Sequence, residues 1–247
     1  MPRLPAGIHH LTPTVPVHVF DAPEPGPTAL IQAGIHGDEV AGVHALQEML
    51  EAEVRPARGR LIVIPVMNPA AYRARERCGK PSASGWAGLD LNRCFPGDAE
   101  APAFERRLAA MYMQLVRDER PALMATLHES YKRYDPKVTP SFGQTIVYGV
   151  DPAPPVVARL VDRLNHRFNQ PGEHWDPQYY PVATSSTEVI VAELSSRPSG
   201  PESGCVGLCV ETWMGFAEQR RVEMQRGVVE ILLDEFGLLP NSTALRA

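Results

Sequence analysis

ALIQAGIHGDEVAGVHAL, residues 29–46, decides how this chain is read. Ala29 to Ile35 is an apolar run with the length of a short strand buried on both faces. It ends in a turn, His36-Gly37-Asp38, and apolar residues then recur at helical spacing, so an amphipathic helix is expected to start near Glu39. A histidine leaving a strand and a glutamate three residues on, in the first turn of a helix, converge on one point. One imidazole nitrogen and one carboxylate suit a borderline-soft cation such as zinc. Two protein ligands are too few for a site, so the pair predicts a third further along.

Outward from this stretch, further apolar runs rich in Val and Ile read as strands: VHVF (17–20), RLIVIPVMN (60–68), LMATLH (123–128), TIVYGV (145–150), VIVAEL (189–194) and GLCVET (207–212). Helical patterns lie between them at roughly 39–53, 102–119, 153–168 and 217–236, the last with Val228, Ile231, Leu232 and Phe236 on one stripe. Strands alternating with helices predict an α/β fold: three α/β/α layers around a mixed, mainly parallel central sheet. Two long stretches, 69–101 and 171–188, read as irregular, and such loops are more often functional than idle.

At 247 residues and 44% hydrophobic content the chain can build one large core, so residues 1–247 are expected to form a single domain. A net charge of −5 with scattered Lys and Arg argues against a nucleic-acid partner, which requires clustered cations. The N-terminal segment is Pro-broken with no apolar core of a signal peptide, and no stretch approaches the roughly 20 apolar residues of a membrane span. The expectation is a cytoplasmic protein with no membrane partner. In that setting Cys78, Cys94, Cys205 and Cys209 read as reduced, and Cys205 and Cys209, four apart in an apolar run, as packed thiols rather than a second metal site.

Of the eight histidines, His44 and His166 fall inside helices and His9 and His10 in the N-terminal segment. His128 differs, because LMATLHES (123–130) is an apolar strand that delivers it at its carboxyl end, where ligands gather in open α/β sheets. His36, Glu39 and His128 make three ligands with a fourth position free, the catalytic rather than structural form of zinc. In the long loop between Glu39 and His128, LDLNRCFPG (89–97) sets an amide, Asn92, beside a guanidinium, Arg93, a pair suited to hold a substrate carboxylate.

HGDE (36–39), the NPxA wording at 68–71, DLNRCFPG (90–97), His128 and a glutamate in a late strand together resemble the zinc metallocarboxypeptidase superfamily, in its succinylglutamate desuccinylase/aspartoacylase branch. The resemblance covers roughly residues 28–215. It implies one Zn²⁺ per chain on His36, Glu39 and His128, and a carboxylate-binding pair at Asn92 and Arg93. It also implies an arginine that polarises the scissile carbonyl. Counted from Asn68-Pro69, that arginine is Arg77, with Arg73 and Arg75 as competitors. The general base is a strand-end carboxylate, Glu211 in preference to Glu193, because Glu211 is followed by a short turn and a final long helix. A substrate-facing tyrosine has three candidates, Tyr131, Tyr179 and Tyr180.

The function implied is zinc-dependent hydrolysis of an amide bond next to a carboxylate, of the N-acyl amino acid deacylase type, acting on a small molecule or short peptide. With the sequence ending soon after its last helix, access to the site is expected to be open. Two alternatives stand beside that reading: a metallocarboxypeptidase or cell-wall peptide amidase, and a non-catalytic zinc-containing binding module. The oligomeric state is not legible from the sequence.

Overall fold

Continuous apolar strands need cover on both faces, and the architecture supplies it. The computed structural model describes residues 3–80, 88–138, 140–149, 153–179 and 204–239. Its strands are β1 (Gly7–Thr12), β2 (Val15–Asp21), β3 (Glu24–Ala33), β4 (Arg58–Ile64), β5 (Leu123–Ser130), β6 (Thr145–Tyr148), β7 (Asp176–Tyr179) and β8 (Val206–Trp213). The helices are α1 (Ala41–Glu51), α2 (Pro69–Ala74), α3 (Phe104–Glu119), α4 (Ala153–Arg167) and α5 (Glu218–Glu235), with a single 3-10 turn at Leu91–Arg93. The strands form one sheet in the order β1-β2-β4-β3-β5-β8-β6-β7. Its centre, β4-β3-β5-β8, is parallel, while β2 against β4 and β6 against β8 run antiparallel.

Period-2 alternation sorts the core into two layers. Ala29, Ile31 and Ala33 of β3 pack with Val43, Leu46 and Met49 of α1 and with the apolar stripes of α4 and α5. Leu30 faces the other way, with Ile62, Ile64 and Met124, onto Leu108, Tyr112, Met113 and Val116 of α3. At about 1.5–3 kcal/mol for each fully buried large apolar side chain, this two-sided burial is what rewards uninterrupted Val/Ile/Leu runs. The expected α/β class, three layers and mixed, mainly parallel sheet are borne out.

Several boundaries differ from the sequence reading. Helix α1 begins at Ala41, so Glu39 sits in the turn before the helix and not in its first turn. Val40, the residue before the helix, has no side chain that caps it. Instead the Glu129 carboxylate, from β5, accepts a hydrogen bond from Ala41 N at 2.8 Å, a tertiary cap with no local signature. Strand β4 stops at Ile64, and the stretch read as irregular from 69 begins with α2. There Asn68 accepts from Ala71 N at 3.2 Å and Pro69 takes the first turn. Strands β1 and β7 had no counterpart in the sequence reading, because both are half-exposed edges without an apolar run. The expected strand 189–194 lies outside the described residues.

The parallel strands β3, β5 and β8 are neighbours, so their carboxyl ends open on one side of the sheet. In the β5–β8 register His128 stands directly beside Glu211. Gly37, in the turn after β3, lets that turn press against α2. A Cβ there would lie 2.0 Å from the carbonyl carbon of Ala71. Among the described residues no helix is long and apolar enough to cross a membrane.

Candidate metal centre

His36, Glu39 and His128 are each at most 5% exposed and meet at one point. The Glu39 carboxylate bridges the two imidazoles: Oε1 is 2.7 Å from His36 Nδ1 and Oε2 is 2.7 Å from His128 Nδ1. The rings stand 4.9 Å apart at 57°, and one potential ligand atom from each residue lies within 4.8 Å of the others. Two elements deliver the three groups. The β3–α1 turn carries His36 and Glu39, and β5 carries His128.

Charge is tightly managed here. Burial lowers the proton affinity of His36, but the Glu39 charge and the hydrogen bond to Asp90 outweigh it and raise its pKa to about 9. Burial opposes ionisation of Glu39, yet the two imidazoles hold its carboxyl well below the usual carboxylate range. His128, where burial dominates, is shifted down. In metal-free protein the trio is therefore an ion pair of His36 and Glu39 beside a neutral His128.

The sequence reading missed Asp90. Its Oδ1 lies 3.2 Å from His36 Nε2 and accepts from Asn92 N at 2.9 Å. A carboxylate on the outer nitrogen of a metal-binding imidazole fixes ring orientation and leaves Nδ1 free to ligate. The signal was present, since Asp90 opens DLNRCFPG. Burial opposes its ionisation, but His36 and Arg77 hold its carboxyl well below the usual range.

Arg77 reaches the centre. Its Nε and Nη2 donate to Asp90 Oδ2 at 3.2 and 3.0 Å, and Nη1 lies 3.5 Å from Glu39 Oε1. Arg75 instead covers the Tyr72 ring at 5.1 Å, and Arg73 is exposed in the last turn of α2. Arg93 is exposed and donates from Nη1 to Asn92 O at 3.2 Å. Asn92 is half-buried in the same 3-10 turn, with its backbone N–H held by Asp90.

Glu211, beside His128 on β8, accepts from Cys209 Sγ at 3.6 Å through Oε1, while its buried Oε2 has no hydrogen-bond partner among the described residues. Burial, and then the nearby Glu39 charge, push its carboxyl up to about 8. Glu193 lies outside the described residues, as does Tyr180. Tyr131 is exposed at the end of β5 and donates to Asp38 Oδ2 at 2.9 Å, whereas Tyr179 tilts against Tyr148 at 5.7 Å. His44 bridges Tyr72 and Glu218, as befits a helix-face histidine. No disulfide joins the four cysteines, of which Cys94 and Cys205 are buried and Cys78 and Cys209 half-buried.

Two buried imidazoles and a buried carboxylate, convergent and with one ring steadied from behind, fit a divalent cation of borderline softness.

Comparison with known proteins agrees. Residues 25–128 match the family model of the succinylglutamate desuccinylase/aspartoacylase catalytic domain. Over 95 residues the chain is 42% identical to the N-alpha-acetyl-L-2,4-diaminobutyric acid deacetylase of Halomonas elongata, a match covering 37% of this chain and 25% of that protein. The fold is shared with the tripeptide-bound crystal structure of the cell shape determinant Csd4 of Helicobacter pylori. That likeness has a TM-score of 0.73 at 16% identity, covering 92% of this chain and 56% of the other. A succinylglutamate desuccinylase/aspartoacylase structure from Rhodobacter sphaeroides gives 0.66 at 23% identity, covering 92% and 60%. The chain thus spans little more than half of these solved chains and aligns with a quarter of the curated relative. The resemblance read from HGDE, NPxA and DLNRCFPG is borne out.

Proposed function

We propose that this chain, whose residues 25–128 carry the succinylglutamate desuccinylase/aspartoacylase catalytic domain match, is a zinc-dependent hydrolase that cleaves the amide bond of an N-acyl amino acid. The observation that carries the reading is the convergence of His36, Glu39 and His128 with a buried carboxylate oxygen on the neighbouring strand, that of Glu211, which has no hydrogen-bond partner among the described residues. Residues 1–247 act as one catalytic domain in this reading, in the cytoplasm.

His36, Glu39 and His128 would hold the zinc, which when bound supplies Lewis acidity to the scissile carbonyl and makes water a stronger acid. Glu211 Oε2 takes the proton of the attacking water and returns it to the departing amine. A carboxyl pushed up toward neutrality is suited to both transfers. Arg77, anchored by Asp90 at the rim, turns N–H groups toward the carbonyl oxygen as charge develops there. Arg93, with the Asn92 amide beside it, holds the substrate carboxylate and so orients the bond.

The name of the Halomonas relative is a reason to try a small acetylated amino acid first, and the exposure of Arg93 supports a short peptide as the second reading. Metal analysis together with turnover of N-acetyl and N-succinyl amino acids and of short peptides tests both. One zinc per chain and hydrolysis of an N-acyl amino acid, abolished in Glu211→Gln at unchanged zinc, is the expected result. Turnover of peptides alone would move the chain to the peptidase reading. Zinc without any turnover would leave a binding module, and full activity in Glu211→Gln would remove Glu211 as the base.

A further inference from the structure

Glu129, next to His128, is a charged residue near the end of a strand that begins apolar, and its side chain is fully buried. Its backbone N–H donates to Glu39 Oε2 at 3.2 Å, and its own Oε2 accepts from Ala41 N at 2.8 Å. The two bonds are reciprocal. Each joins a carboxylate of one segment to an amide of the other, so the end of β5 and the turn before α1 are held at two points rather than one. These are the two segments that carry the proposed metal ligands. On the far side, Glu129 Oε1 accepts from Thr212 Oγ1 of β8 at 3.3 Å and is ion-paired with Arg221 of α5. Gln225, one turn further along α5, donates to His128 O at 2.7 Å and to Thr212 Oγ1 at 3.0 Å.

This is an expensive arrangement if stability were its only yield. Burial, with the Glu39 charge close by, makes the Glu129 carboxylate costly to ionise against the help of Ala41 and Arg221. Buried ion pairs are often matched or bettered in stability by apolar residues of the same volume. Apolar side chains would not tie the turn to the strand, because they accept from neither Ala41 N nor Arg221, whereas the Glu129 carboxylate accepts from both.

We propose that Glu129, Arg221 and Gln225 are positioning residues that preset the Glu39–His128 geometry, so that α5, which supplies no ligand, governs the affinity of the site for zinc. The proposal rests on the metal reading above. Glu129 directs Glu39 through the reciprocal pair, Arg221 fixes the Glu129 rotamer, and Gln225 fixes the peptide plane of His128. Simple Coulomb reasoning gives the opposite sign for Arg221, since removing a cation near the site should favour a bound cation.

The test uses the full chain and zinc itself, with affinity from competition against a chelator, melting temperature of the metal-free protein, and nitrogen-detected imidazole spectra of His36 and His128 without metal. Arg221→Gln and Glu129→Asp are expected to weaken zinc binding by roughly 10–100-fold and to shift the metal-free imidazole signals. Arg221→Lys should restore part of that affinity. Gln225→Met, close to glutamine in volume, should weaken zinc binding in the same direction and keeps the proposal testable if Arg221→Gln does not fold. Wild-type or tighter affinity in these variants, with unmoved imidazole signals, overturns it, whatever happens to the melting temperature. If the wild type binds no zinc, the proposed function falls on its own, and the metal-free spectra still decide whether this network sets the trio.

Discussion

Glu211 shows how little of a side chain's chemistry is visible in its name. Its pKa of about 8 against an ordinary 4.5 means the folded protein holds the proton more tightly than the unfolded chain. The stability this lends is fully present below about 4.5, declines as pH rises, and is gone above about 8. His36, raised to about 9, erodes stability over the upper part of the same range, so the comparison must be between wild type and Glu211→Gln. In chelator-treated protein the two should melt with similar pH dependence below about 4.5, and the variant should gain on the wild type progressively toward pH 8. Parallel curves across that window would sink the assignment of a raised pKa. Arg77 calls for a kinetic test. On a substrate that is turned over, Arg77→Gln should lose about 10²–10³ in kcat with zinc retained, while Arg75→Gln, whose guanidinium lies on Tyr72, should keep wild-type kcat. Equal losses in both would deny Arg77 a special role. At this scale the sequence was informative where spacing is short: His36, Gly37 and Glu39 read as a unit. Asp90 went unread because its partner, His36, is 54 residues away.

At the level of elements, the β3–α1 turn depends on Gly37 for space as much as on His36 and Glu39 for chemistry. Ala at position 37 would drive a Cβ into the backbone of α2 at Ala71, which cannot yield without moving the helix. Gly37→Ala should cost about 1–3 kcal/mol of stability and displace the turn that carries two proposed ligands. A lowered melting temperature accompanied by weaker zinc binding is the expected outcome, and an unaltered protein would show that α2 has slack. Apolar runs located β3, β5 and β8 and the helices α1, α3, α4 and α5, because two-sided burial and a helical stripe leave a mark on the local pattern. The start of α1 did not, since its cap is Glu129 from another strand. Edge strands β1 and β7 left no mark either, being polar and half exposed.

For the whole molecule, the sheet order matters most. Placing β5 between β3 and β8 brings His36, Glu39, His128 and Glu211 to one edge although 175 positions separate the first from the last. A ligand that binds the folded protein and not the unfolded chain stabilises it, by about 2.7 kcal/mol at one hundred times its dissociation constant. Zinc at that excess should raise the melting temperature of wild type and should not raise that of His128→Ala; a shift of the same size in both would place the metal elsewhere. Local pattern alone was enough for the layered α/β class, for the His36–Glu39 pair and for the resemblance carried by HGDE and DLNRCFPG, because periodicity and short motifs are properties of neighbours in the chain. The tertiary structure alone decided that Asp90 joins Arg77 to His36 and that α5 is bonded to the strand bearing His128. Those are contacts between distant segments, fixed by strand order and by the burial of charge, and no local pattern encodes them.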